Sequence, residues 1–119
     1  MVFSEQVHVF MDACDVMLTK PGGLSSTEAA VKNVPIVHTE PVSGCERQNA
    51  FFFSRHGLSV KSENYDMAAI RAVRLANDLS EKTEMLAAQR MTINRFAAEE
   101  ICDYIIANST AKVGRILRD

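Results

Sequence analysis

An α/β fold built on a short parallel sheet is predicted by three features of the chain. Apolar, β-rich runs at Val16–Thr19, Pro35–Thr39 and Leu58–Val60 alternate with helix-compatible segments. The stretches between the runs are long enough for a helix to cross from one strand to a parallel neighbour, which a tight turn cannot do. From Asp66 onward the chain has no Gly or Pro until Gly114 and its apolar residues keep helical periods, so two or three helices finish the fold. The order αβαβαβ, with helices covering both faces of the sheet, is a Rossmann-like architecture.

Taken in order, Phe3, Val7, Phe10 and Cys14 recur at helical spacing and predict a short amphipathic helix over the first dozen residues. Val16–Thr19 comes next as a buried strand, ended by Lys20, Pro21, Gly22 and Gly23. Ser25, with Glu28 three residues on, forms a capping-box signature, and Ala29, Ala30 and Val31 carry the helix to Asn33. Pro35–Thr39 is the second strand, and Pro41, Val42, Ser43 and Gly44 form a loop. A helix over Glu46–His56 closes at Gly57, with Phe51, Phe52 and Phe53 expected in the core rather than in a membrane, before a third strand at Leu58–Val60. Met67, Ile70 and Val73, then Leu86, Ile93, Ala97, Ile101 and Tyr104, mark the closing helices.

At 119 residues the chain fits one domain, with no repeat or linker to divide it. A net charge of -2 provides no broad basic surface, so nucleic acid is not an expected partner. Cys14, Cys45 and Cys102 are odd in number and form no CxxC pair, which argues against a disulfide framework or zinc site and fits a reducing cytoplasm. No secretory signal and no run of about 20 apolar residues is visible. Three strands leave an unpaired sheet edge, so further upstream sequence is expected and self-association through that edge stays open.

The run Lys20-Pro21-Gly22-Gly23-Leu24-Ser25-Ser26-Thr27-Glu28 joins the carboxyl end of a strand to a helix start. Such a turn suits an anion: glycine lets a ligand approach the backbone, and the first helical N–H groups lack acceptors and carry partial positive charge. Ligands of open α/β sheets bind beyond the strand carboxyl ends, where this turn and the loop at Ser43–Glu46 should converge. On spacing alone, the turn serves equally well as a change of direction. Glu28 by itself reads more readily as a cap reaching back to the Ser25 N–H than as a carboxylate for a ribose diol.

The thirty residues KPGGLSSTEAAVKNVPIVHTEPVSGCERQN resemble the donor-binding signature of glycosyltransferase family 28, especially its monogalactosyldiacylglycerol synthases and processive diacylglycerol glucosyltransferases. That family has a KPGG-like turn, a helix bearing Glu, a strand starting near Pro, and a loop of the type P-x-P-G-Q-E-x-x-N. The resemblance implies that Gly22, Gly23, Leu24 and Ser25 line a diphosphate and that Glu28 holds ribose hydroxyls. It further implies that Gly44, Cys45, Glu46 and Asn49 border the donor sugar or its phosphates. Cys45 stands where Gln is usual and cannot supply an amide's paired donor and acceptor, and Ser43 stands where Pro is common, so donor-sugar selectivity departs from the pattern.

The resemblance implies the second half of a GT-B C-terminal domain, residues 1–119, that binds a UDP-sugar for transfer of a hexose to a lipid such as diacylglycerol. The acceptor would be met through a missing N-terminal domain, no catalytic residue, metal or cofactor is assigned, and the parent would be cytoplasmic and peripheral at the membrane. The isolated chain is expected to be inactive and to bind donor weakly. Two rivals stay open: a UDP-sugar 2-epimerase on the same scaffold, and a stand-alone nucleotide-binding or partner-binding module. Cys45 as a nucleophile has no histidine partner motif, and His8, His38 and His56 read as packing or surface residues. Glu99, Glu100 and Asp103 read as a solvated helix face. Met1 is either a natural or an engineered start.

Overall fold

The computed structural model describes residues 4–42 and 44–116, with side chains described as far as residue 109. Met1, Phe3 and Ser43 lie outside the described residues. Helix α1 (Val7–Ala13) leads through strand β1 (Met17–Thr19), helix α2 (Gly23–Val31), strand β2 (Ile36–His38), helix α3 (Gly44–Arg55) and strand β3 (Val60–Lys61) to helices α4 (Tyr65–Asn77), α5 (Leu79–Thr92) and α6 (Ala97–Ile116). The strands pair in parallel in the order β1-β2-β3, with Met17 opposite Ile36 and Val37 opposite Val60. The chain therefore forms the expected Rossmann-like arrangement of three short parallel strands with flanking helices.

Central strand β2 is buried throughout, and its alternating side chains feed two cores. On one face Ile36 packs with Ala29, Ala30, Val34, Phe53 and Leu58; on the other, Val37 packs with Leu75 and Met85. Helices α2 and α3 enter the strands that come after them through the same device. Asn33 and Gly57 both take positive φ, at 55° and 70°, directly after their helices. The N–H groups of Val34 and Leu58 reach back to the carbonyls of Ala29 and Phe53, and those of Asn33 and Gly57 to Ala30 and Ser54. This double bond pattern satisfies the last helical carbonyls and drops an apolar residue into the core beside its partner. Gln89 of α5 fixes the same end of the sheet, its fully buried amide donating to the carbonyls of Val34 and Leu58 at 3.0 Å each.

Several local expectations are corrected. Helix α2 starts at Gly23, with an extended Gly22 as its N-cap and no side-chain cap, so Ser25 lies inside the first turn and the capping box does not form. The S-x-x-E pattern is present, but a cap needs Ser25 outside the helical conformation, and here the helix has already begun. In α1 only Met11 is buried, while Val7 and Phe10 face out. In α4 the inward face is Ala68, Ala72 and Leu75, and Met67, Ile70 and Val73 are exposed. Small residues let α4 lie close to the sheet, and two stripes of equal period cannot be told apart by period. Of the three phenylalanines only Phe53 is core; Phe51 and Phe52 are 59% and 44% exposed. No described helix is long and apolar enough to cross a membrane.

Candidate functional site

The carboxyl ends of β1 and β2 deliver two loops to one edge of the sheet, and each loop opens a helix. At the first, Gly22 is extended at φ -74° and ψ 143°, and the helical hydrogen bonds begin with the Ser26 N–H donating to the Gly22 carbonyl at 3.1 Å. The N–H groups of Gly23, Leu24 and Ser25 therefore precede the first intrahelical bond, and no described residue accepts from them. Three adjacent amides at a helix N-terminus, reinforced by the helix dipole, form a region suited to negative oxygen atoms. The turn is not blocked by side chains. A β-carbon on Gly22 would meet nothing within 4 Å, one on Gly23 would come no nearer than 3.7 Å to the Asn49 amide, and Leu24 is 82% exposed.

The second loop is brought against the first by α3. Asn49 donates from Nδ2 to the Pro21 carbonyl at 3.0 Å, and the Glu46 carboxylate lies 3.4 Å from Lys20 Nζ. Glu46 also accepts from the Val42 N–H at 2.7 Å, so one side chain holds its own loop and the preceding turn together. The expected convergence of the two loops is thus present, with Gly44 and Cys45 exposed in the first turn of α3. Glu46 and Asn49 do more for the architecture of the turn than their sequence pattern conveyed. Their spacing of three places both on the inner side of α3.

The Glu28 side chain is exposed and has no hydrogen-bond or ion-pair partner among the described residues. It lies one turn beyond Leu24 on the same side of α2. Thr39, just past β2, carries a buried hydroxyl without a partner, the kind of orphan that functional sites retain. A buried trio also escaped sequence reasoning: Ser26 Oγ and Ser59 Oγ sit 2.9 and 3.0 Å from the two ring nitrogens of His38. Burial pushes the His38 imidazole down to about 4. Nothing in the spacing of Ser26, His38 and Ser59 signals their meeting, because it is made by tertiary packing. Among the described residues no cluster of three His, Cys, Asp or Glu could hold a metal ion. Among the described residues one surface depression is lined by Ser54, Gly57, Ser59, Glu84 and Ala88, and another by Pro41, Arg47 and Phe51 beside the second loop.

No family model matches the chain. A processive diacylglycerol beta-glucosyltransferase of Bacillus pumilus (strain SAFR-032) is 29% identical over 108 residues, which are 90% of this chain and 28% of that protein. An enzyme of the same name from Bacillus cereus (strain AH820) is 28% identical over 114 residues, 96% of this chain and 29% of its own length. Among solved structures, the glycotransferase of kitacinnamycin matches with a TM-score of 0.61 at 18% identity, over 82% of this chain and 27% of that one, and so shares the fold. The resemblance carried by the thirty-residue run thus extends to curated glycosyltransferases over nine-tenths of the chain or more. The chain spans less than a third of the length of these relatives.

Proposed function

We propose that the start of α2 receives the diphosphate of a UDP-sugar, and that residues 1–119 are the donor-binding part of a GT-B type, inverting glycosyltransferase that moves a hexose to a lipid such as diacylglycerol. The observation that carries this reading is the row of amides at Gly23, Leu24 and Ser25, without acceptors and entered through a glycine whose side-chain position is open. The name shared by the two Bacillus relatives supports the lipid and the hexose. The chain then belongs to a C-terminal domain, and an N-terminal domain presents the acceptor and the base that takes its proton. The parent works in the cytoplasm, peripheral at the membrane.

In the reaction, the acceptor oxygen attacks the anomeric carbon as the bond to the diphosphate oxygen breaks, and UDP leaves with the electron pair. Negative charge grows on the diphosphate, and the amides of α2 stabilise it as fixed dipoles that need no reorganisation. Glu28, exposed one turn along α2, accepts hydrogen bonds from the ribose diol. Gly44 and Cys45 border the sugar, and Glu46 and Asn49 hold the two loops at the spacing the donor requires.

Calorimetric titration with UDP tests the ribose contact. Glu28→Ala should weaken affinity roughly five- to tenfold, the loss of one or two charge-assisted hydrogen bonds, with melting unchanged because the side chain has no partner among the described residues. Equal UDP affinity in the variant removes Glu28 from the site. Conversion of a UDP-sugar with no acceptor present would instead mark an epimerase on this scaffold.

A further inference from the structure

We infer that Ser26, tethered to the buried His38 ring, positions the amide row of α2 for the diphosphate; this role rests on the donor reading of the turn. Ser26 holds the turn from both sides. Its N–H closes the first helical bond to Gly22 at 3.1 Å, and its Oγ lies 2.9 Å from His38 Nε2. The other ring nitrogen lies 3.0 Å from Ser59 Oγ, just ahead of β3, and the ring meets Phe53 of α3 edge-on at 5.4 Å. The His38 carbonyl in turn accepts from the Ser62 N–H at 2.9 Å and from its hydroxyl at 3.2 Å. One imidazole thereby links the first turn of α2 to β2, β3 and α3, the elements around the candidate site.

An apolar side chain could fill the same space without desolvating a polar ring. What the imidazole adds is direction, because a buried hydrogen bond fixes the angle between two elements where apolar contact leaves it loose. Ser26 and His38 are fully buried and the ring is neutral near pH 7, so it brings no charge beside the anion. With both nitrogens engaged it is a positioning residue and not a base. A neutral ring carries one N–H, so one serine donates to it and the other accepts from it.

The two serines make an internal control, since each is buried and each bonds to the same ring. In the 119-residue chain, Ser26→Ala should weaken UDP binding about fivefold by calorimetry, while Ser59→Ala stays within about twofold of wild type. Both variants should lower the melting temperature by similar amounts, so a merely structural role predicts equal effects on binding. Ser26→Cys keeps the side chain's shape at a slightly larger size, loses the strong hydrogen bond, and should lose affinity as Ser26→Ala does. Equal losses in both serine variants, or none in the two Ser26 variants, overturn the inference while the wild type still binds UDP. A wild-type chain that takes up no UDP overturns the donor reading and this inference with it.

Discussion

At φ -74° and ψ 143°, Gly22 occupies backbone space open to every L-residue, and a β-carbon there would meet no atom of the chain within 4 Å. Neither strain nor packing therefore asks for glycine at this position. Close approach of a ligand to the backbone does ask for it. Gly22→Ala should leave stability within roughly 1 kcal/mol, since a poorer N-cap is offset by a stiffer unfolded chain. UDP affinity should fall at least about tenfold, because the added methyl group stands at the mouth of the turn. Thermal melting and calorimetry on one preparation separate the two effects, and a variant that binds UDP as well as wild type would count against contact at Gly22. The glycines were legible in the sequence because turn chemistry is local. The serine and histidine pairing beneath them was not, because residues 12 and 21 positions apart meet only through packing.

At the scale of elements, legibility tracked the range of the interaction. The first two strands and the helix ends at Asn33 and Gly57 could be read, since apolar runs and residues tolerant of positive φ act within a few residues, whereas the third strand, expected over Leu58–Val60, starts only at Val60. The start of α2 could not, because a capping-box pattern does not reveal that the helix has already begun at Gly23, ahead of the serine that was to cap it. Inward faces failed for α1 and α4 for another reason: period identifies a helix, and the neighbour decides which side is buried. Gln89 is the sharpest case. A polar residue in a charged helix reads as solvated, yet its amide is fully buried and donates to the entry carbonyls of both Val34 and Leu58. Gln89→Ala should cost about 2–4 kcal/mol in urea unfolding, from two stranded carbonyls and a cavity. A loss below about 1 kcal/mol would show that the two strands are held in place without it.

For the whole molecule, the sheet presents unpaired outer edges on β1 and β3 among the described residues, and Leu18 of β1 and Phe10 of α1 are exposed. Helix α6 runs out from the body with Ile101, Tyr104 and Ile105 exposed, consistent with overall dimensions of 65 × 30 × 29 Å. These features suit surfaces that pack against further protein, which agrees with the proposed donor-binding role. The glycosyltransferase signature was readable because thirty consecutive residues carry it, whereas the latch from Glu46 and Asn49 to the turn became visible only in three dimensions. Where the nucleotide lands is decisive. Proton–nitrogen correlation NMR of the labelled 119-residue chain during UDP titration reports this directly. Binding at the turn predicts saturable shifts of the Gly23, Leu24 and Ser25 amides together with the Glu28 region; unmoved amides there, or shifts confined to the depression at Ser54, Gly57, Ser59, Glu84 and Ala88, would contradict it.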